Sequence, residues 1–189
     1  MTMTVEEIFS QIAQHMVEGL MFHSQLSDFY GFLGLDGYEE CHKYHYFIEN
    51  KNYKKIANYY LHHYNKLILE KPFNNPSVIP EPWYRYTRQD VDSSVKKGSI
   101  QTGVEKWVNW EKQTKALYEQ MYQALMDLDE IAGAIELKEY IKDVDDELAE
   151  ACQKHIELKS IEFNLDDIIP KQEEIHKKYK KKLKEMDLC

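Results

Sequence analysis

The stretch "KPFNNPSVIPEPWYRY", Lys71–Tyr86, holds four of the chain's five prolines: Pro72, Pro76, Pro80 and Pro82. Proline has no backbone N–H and its ring clashes with the preceding helical turn, so no regular helix runs through such a segment. Elsewhere the chain has only seven glycines in 189 residues. Long helices have room to run on both sides. The segment therefore separates two helical halves, and its length decides how they are joined.

Working outward, the spacing predicts a helix before it, from about Tyr38 to Leu69, with Cys41, His45, Ile48, Asn52, Ile56, Tyr59 and His63 on one side. That side is unusually polar. The turn "GLDG", Gly34–Gly37, links it to a first helix from about Val5 to Phe32, striped by Ile8, Ile12, Met16, Gly19, Phe22 and Leu26. After the prolines, "TRQDVDSSVKKGS" reads as one short helix. A third long helix, about Thr102 to Asp129, carries Trp107, Glu111, Thr114, Tyr118, Met121, Leu125 and Leu128 on one stripe. The fourth, about Ala134 to Ser160, carries Leu137, Ile141, Val144, Leu148, Ala151, His155 and Leu158, flanked by Asp143, Asp146 and Glu147. A fifth, about Asp166 to Asp187, has Pro170 in its first turn, acid at its start and lysines at its end, as the helix dipole favours.

Short turns join helices one to two and three to four, which leaves those neighbours antiparallel. A connection of roughly 30 residues joins two to three, long enough to travel the bundle and leave them parallel. The expected fold is all-α, a four-helix bundle with one long crossover between helices two and three and an additional C-terminal helix, with residues 1–189 forming one domain.

A net charge of -9 and a pI near 5.4 argue against nucleic acid as a partner. Three cysteines, Cys41, Cys152 and Cys189, are odd in number and without a CxxC, which fits a reducing compartment. No apolar run approaches the roughly 18 residues that span a bilayer, and "MTMTVEEIF" lacks a basic leader. A cytoplasmic protein without a membrane anchor is the expectation.

The residues around the first turn resemble a family. "GLDGYEECHKYHYFIENKNYKKIANYYL", Gly34–Leu61, is similar to the ferritin stretch in which a GLxG turn leads into an aromatic-rich second helix. "WVNWEKQTKALYEQM" resembles the third ferritin helix and "KEYIKDVDDELAE" the fourth. The resemblance covers roughly residues 5–160 and implies a ferritin-like four-helix bundle with a carboxylate-rich divalent-metal site. Iron or manganese is implied, with zinc as the alternative, or no metal at all. Glu18, Glu49 and Glu111 fall where the first three helices of that family supply glutamates. The fourth-helix ligand is open among Asp143, Asp146 and Glu147. Asn52 stands where the family has the histidine of its ExxH pair, and the fourth helix restores no imidazole. An all-oxygen site is less suited to activating oxygen at iron, which leaves catalysis unassigned.

Glu18 lies in "HMVEGLMFH", where a buried unpaired carboxylate has no structural rationale, although His15 is one turn away to pair with it. Glu39 and His42 form a literal ExxH, but they sit one turn after "GLDG" and are expected as a first-turn acid and an exposed histidine. His62 and His63 point roughly 100° apart and cannot share an ion. His155, on its stripe, is expected as a core histidine.

Two functions compete. One is a metal-binding ferritin-like protein; the other is a metal-free bundle serving as a structural or protein-interaction module. The cluster Trp83, Tyr84 and Tyr86 on the crossover points to a homodimer. Lys177, Lys178, Lys180, Lys181, Lys182 and Lys184 are expected as a solvated helix face, with an acidic partner or nucleic acid as the alternative. The long crossover and fifth helix argue against storage in a shell.

Overall fold

The computed structural model describes residues 3–68, 87 and 91–186. These form α1 (Val5–Phe32), α2 (Asp36–Tyr64), α3 (Ser93–Asp127), α4 (Ile131–Ser160) and α5 (Leu165–Met186), with no strand among the described residues. The aromatic cluster of the crossover, Trp83, Tyr84 and Tyr86, lies outside the described residues, as does Cys189.

Each boundary has a local cause. Thr4 caps α1 through a reciprocal pair: its hydroxyl accepts from the Glu7 N–H at 3.2 Å while the Glu7 carboxylate accepts from the Thr4 N–H at 2.8 Å. Gly34, at φ 74°, turns the chain after α1 in a conformation that a side chain would oppose. α2 stops at Tyr64, short of the expected Leu69, because Asn65 adopts a left-handed φ of 53°. α3 starts at Ser93 rather than Thr102. The Asp92 carboxylate accepts from the Val95 N–H at 2.9 Å, and the buried stripe extends back through Gly103, Ile100 and Ser99. The expected short helix is thus the opening of α3. α5 starts one residue earlier than expected, at Leu165, which puts Pro170 past the first turn, where it forfeits a backbone hydrogen bond.

Helix-to-helix pairings give the topology. Phe9 packs on Tyr59 and Tyr60 while His23 meets His42, so α1 and α2 are antiparallel. His45 meets Glu147, Lys55 meets Glu139 and Tyr64 meets Glu130, so α2 and α4 are antiparallel as well. The joint of α3 and α4 thus lies at the C-terminal end of α2, and α2 and α3 run parallel. That is the one-crossover arrangement.

Two apolar clusters fill the bundle. One gathers Ile12, Met16, Tyr60, Tyr118, Leu125 and Leu137; the other gathers Leu26, Tyr30, Trp107, Leu158, Ile168 and Tyr179. Where the two meet lie His15 and the side-chain-free Gly19 on α1, His45 and Glu49 on α2, Glu111 and Thr114 on α3, and Glu147 on α4. A polar layer crosses the middle of an otherwise apolar core.

The fifth helix packs along α2, approaching so closely that a Cβ added at Gly37 would sit 2.3 Å from the Gln172 carbonyl oxygen. Ile168, Ile175 and Tyr179 are its buried face. The Tyr179 ring lies 5.5 Å from that of Tyr44 and 6.1 Å from that of His45, and its hydroxyl donates to Glu150 of α4. The lysine row is not simply solvated. Lys178 binds Glu150 at 2.6 Å, and the half-buried Lys182 lies over the rings of Tyr44 and Tyr179 at 4.5 and 4.9 Å. His42, expected to be exposed, is instead 0% exposed, packed against His23 and Tyr30 of α1 and Trp107 of α3.

Candidate metal centre

Glu111 is the most enclosed of the predicted acids, at 0% exposure. Its Oε1 accepts from the Trp107 indole N–H one turn earlier, at 2.9 Å, while its Oε2 has no hydrogen-bond partner. Burial and the neighbouring Glu147 carboxylate push its pKa well above the usual range, against the pull of His45 and the Trp107 hydrogen bond. Glu49 is 6% exposed. Burial, Glu147 and Glu111 raise its pKa strongly, with His45 opposing. Its carboxyl group lies against the bare backbone of α1, where a Cβ on Gly19 would come within 2.7 Å of Oε1.

The fourth-helix member of this cluster is Glu147, whose Oε1 is 3.3 Å from His45 Nδ1. Asp143 and Asp146 are exposed. Burial works against charge on His45, but Glu147 and Cys41 outweigh it and hold its pKa well above the ordinary value. Glu18 has different company. Its side chain, 26% exposed, accepts from Gln14 at 3.1 Å and lies 3.8 Å from His15. Asn52 is partly buried, and Glu39 accepts from the Ser27 hydroxyl through its backbone carbonyl. His62 and His63 are exposed, and His155, 30% exposed, faces Glu105 rather than the core.

The His15–Glu18 approach is not an ion pair at neutral pH. Thr114 donates its hydroxyl proton to the Trp110 carbonyl at 3.0 Å, so His15 Nε2–H must donate to Thr114 at 2.7 Å, and its bare Nδ1 faces Glu18. Burial lowers the His15 pKa from 6.5 to about 4. The unfolded chain therefore binds a proton that the folded chain refuses between those values, and stability falls as pH drops from about 6.5 toward 4. Full expression of that shift is worth about 3 kcal/mol. Urea unfolding at pH 7 and 4.5 should show His15→Gln losing about 2 kcal/mol less than wild type on acidification. Equal losses would remove the assignment.

Three buried histidines complete the layer. His23 is fully buried, its Nδ1 3.1 Å from His42 Nδ1 and its Nε2 3.6 Å from Glu111 Oε1. Burial first, then neighbouring imidazoles, lower the pKa of His23 and His42, so the His23–Glu111 contact joins a neutral ring to a carboxyl that itself resists ionising. His23 Nε2, His42 Nε2 and both nitrogens of His45 have no hydrogen-bond partner. Each such buried orphan costs about 1–3 kcal/mol. The signal was present in the spacing: His42, His45 and Glu49 are at i, i+3 and i+7, one face of a helix. The family pattern directs attention to the residue three after Glu49, whereas here an imidazole stands four before it. As they stand, no three His, Cys, Asp or Glu side chains among the described residues are arranged to hold a metal ion.

No protein-family profile matches the chain, and neither does any curated protein. Among solved structures, an open-pore ferritin from the archaeon Archaeoglobus fulgidus is 12% identical, with a TM-score of 0.74 over 90% of this chain and 93% of that one. An engineered closed form of that ferritin gives the same values, and a humanized archaeal ferritin is 13% identical at TM-score 0.76, covering 90% of this chain and 94% of its own. At such identities the likeness is one of fold, and this chain has the ferritin-like fold.

Proposed function

We propose that this protein binds a divalent metal ion in the bundle core between Glu49, Glu111 and Glu147, carboxylates drawn from three helices. The observation that carries the reading is the burial of Glu49 and Glu111 beside Glu147, with one Glu111 oxygen lacking any hydrogen-bond partner. Folding alone gives no reason to keep such a cluster, because crowded carboxyls in a low-dielectric core cannot all ionise without a counter-charge. The donor set fits a hard or borderline ion, iron or manganese first and zinc next. When bound, the ion supplies that counter-charge and a Lewis-acid centre. The protein's own residues orient the ligands: the Trp107 N–H fixes Glu111, the bare Gly19 backbone seats Glu49, and His45 attracts Glu147. No reaction is proposed, since Asn52 replaces the histidine that the family pairs with Glu49.

A metal-free interaction module is the second reading, favoured by the way Trp107 already pairs with Glu111 and His45 with Glu147. One experiment separates them. Glu111→Ala should abolish uptake of iron, manganese and zinc, measured by elemental analysis after loading, and should leave the metal-free melting temperature unchanged or raised. A wild type that takes up no metal, with a variant destabilised by about 1–3 kcal/mol, would end the metal reading. Gly19→Ala should weaken uptake by at least tenfold by displacing Glu49, with little change in metal-free stability.

A further inference from the structure

We propose a second, nitrogen-rich metal position beside the carboxylate one, formed by His23, His42 and His45 with Glu111 as its oxygen ligand, and suited to zinc or another borderline divalent ion. It shares Glu111 with the carboxylate position and does not need Glu49.

Each imidazole has two ring nitrogens, so the three rings together offer six, and a ring that ligates a metal gives one lone pair after losing any extra proton. Only the two Nδ1 atoms of His23 and His42 find a hydrogen-bond partner, each other, at 3.1 Å. The remaining four nitrogens are buried without one, as is Oε2 of Glu111. A core that needed only shape would hold apolar side chains here, since removing both partners of a polar contact is nearly free while leaving orphans is not. A cation that collects bare lone pairs is the ligand this chemistry asks for, and imidazole with carboxylate selects borderline metals.

Ring separations agree with that ligand. With a metal–nitrogen bond of about 2.0–2.1 Å, the centroid of a coordinated imidazole lies about 3.2 Å from the ion, so two rings in tetrahedral arrangement have centroids about 5.2 Å apart. The observed separations are 5.3 Å for His23 and His42, 5.2 Å for His23 and His45, and 6.5 Å for His42 and His45. The first two already match; the third has to close by about 1 Å. His23 is inclined by only 23° and 27° to the other two, so the in-plane lone pairs run side by side. Without an ion the rings stack, and binding requires them to turn about their Cβ–Cγ bonds. The Trp107 ring, its centroid 4.8 Å from that of His42 and 5.4 Å from that of His45, forms one wall of the position.

The test uses the full-length protein and zinc or cobalt(II) alone. X-ray absorption of the zinc-loaded wild type should carry imidazole scattering, and equilibrium dialysis should find two ions per chain. His42→Leu should lose one ion and the cobalt visible band that imidazole ligation produces, with affinity at that position falling at least tenfold. Glu49→Gln should keep that band while losing the carboxylate-bound ion. Circular dichroism and melting check that each variant folds, and the wild-type absorption edge decides the matter if His42→Leu does not. Zinc bound without imidazole scattering, or a cobalt spectrum and stoichiometry unchanged in His42→Leu, overturns the nitrogen-rich position and leaves the carboxylate reading standing. No zinc or cobalt uptake by wild type overturns both.

Discussion

Gly37→Ala is expected to detach α5 from the bundle. The added methyl would sit 2.3 Å from the Gln172 carbonyl oxygen and 3.1 Å from the His176 nitrogen, both backbone atoms of a helix, so no side-chain rotation relieves the clash. Alanine's better helix propensity recovers at most about 1 kcal/mol. Against that stand Ile168 and Tyr179 at 0% exposure and Ile175 at 6%, all buried by the docking. At about 2 kcal/mol each, re-exposing these three side chains costs up to about 6 kcal/mol. Limited proteolysis should cut the variant in or near α5 under conditions where wild type resists, with a lower melting temperature. A variant that melts with wild type and resists the protease would show that α2 and α5 slide apart at little cost.

Trp107→Ala should be the most damaging substitution in the four-helix core. The indole is 1% exposed, and its loss costs about 3–5 kcal/mol by burial and cavity alone, about 10 °C in melting temperature for a chain of this size. It also strips Glu111 of its one hydrogen-bond donor. Trp107→Phe separates the two effects, because it keeps most of the volume and loses only the N–H. Denaturant unfolding should rank wild type above Phe above Ala. If Phe and wild type coincide, the indole N–H does nothing for Glu111.

Much of the architecture could be read in advance because it depends on local signals. The "GLDG" turn and the proline segment set element ends and connection lengths, and those fix which neighbours are antiparallel. Glu111 was legible for a similar reason, an acid on an otherwise apolar stripe. His42 was not. Placed one turn into α2, it should meet solvent in an ordinary bundle, and what buries it is packing against His23 and Tyr30 of α1 and Trp107 of α3. The same holds for the lysine row, whose Lys178 and Lys182 are committed to Glu150, Tyr44 and Tyr179. Spacing shows which residues share a face of a helix, not what that face will meet. Helix ends shifted where a single residue decided, as with Asp92 and Asn65.

The crossover divides the bundle into two hairpins, α1–α2 and α3–α4, each closed by a short turn, and contacts so local form quickly. The polar layer belongs to neither alone: His23, His42, His45 and Glu49 come with the first, Glu111 and Glu147 with the second. An ion bound as proposed would meet its full ligand set only after the hairpins have docked. Metal should then act on the rate of escape rather than of arrival: stopped-flow unfolding slows with added zinc while refolding keeps its pace.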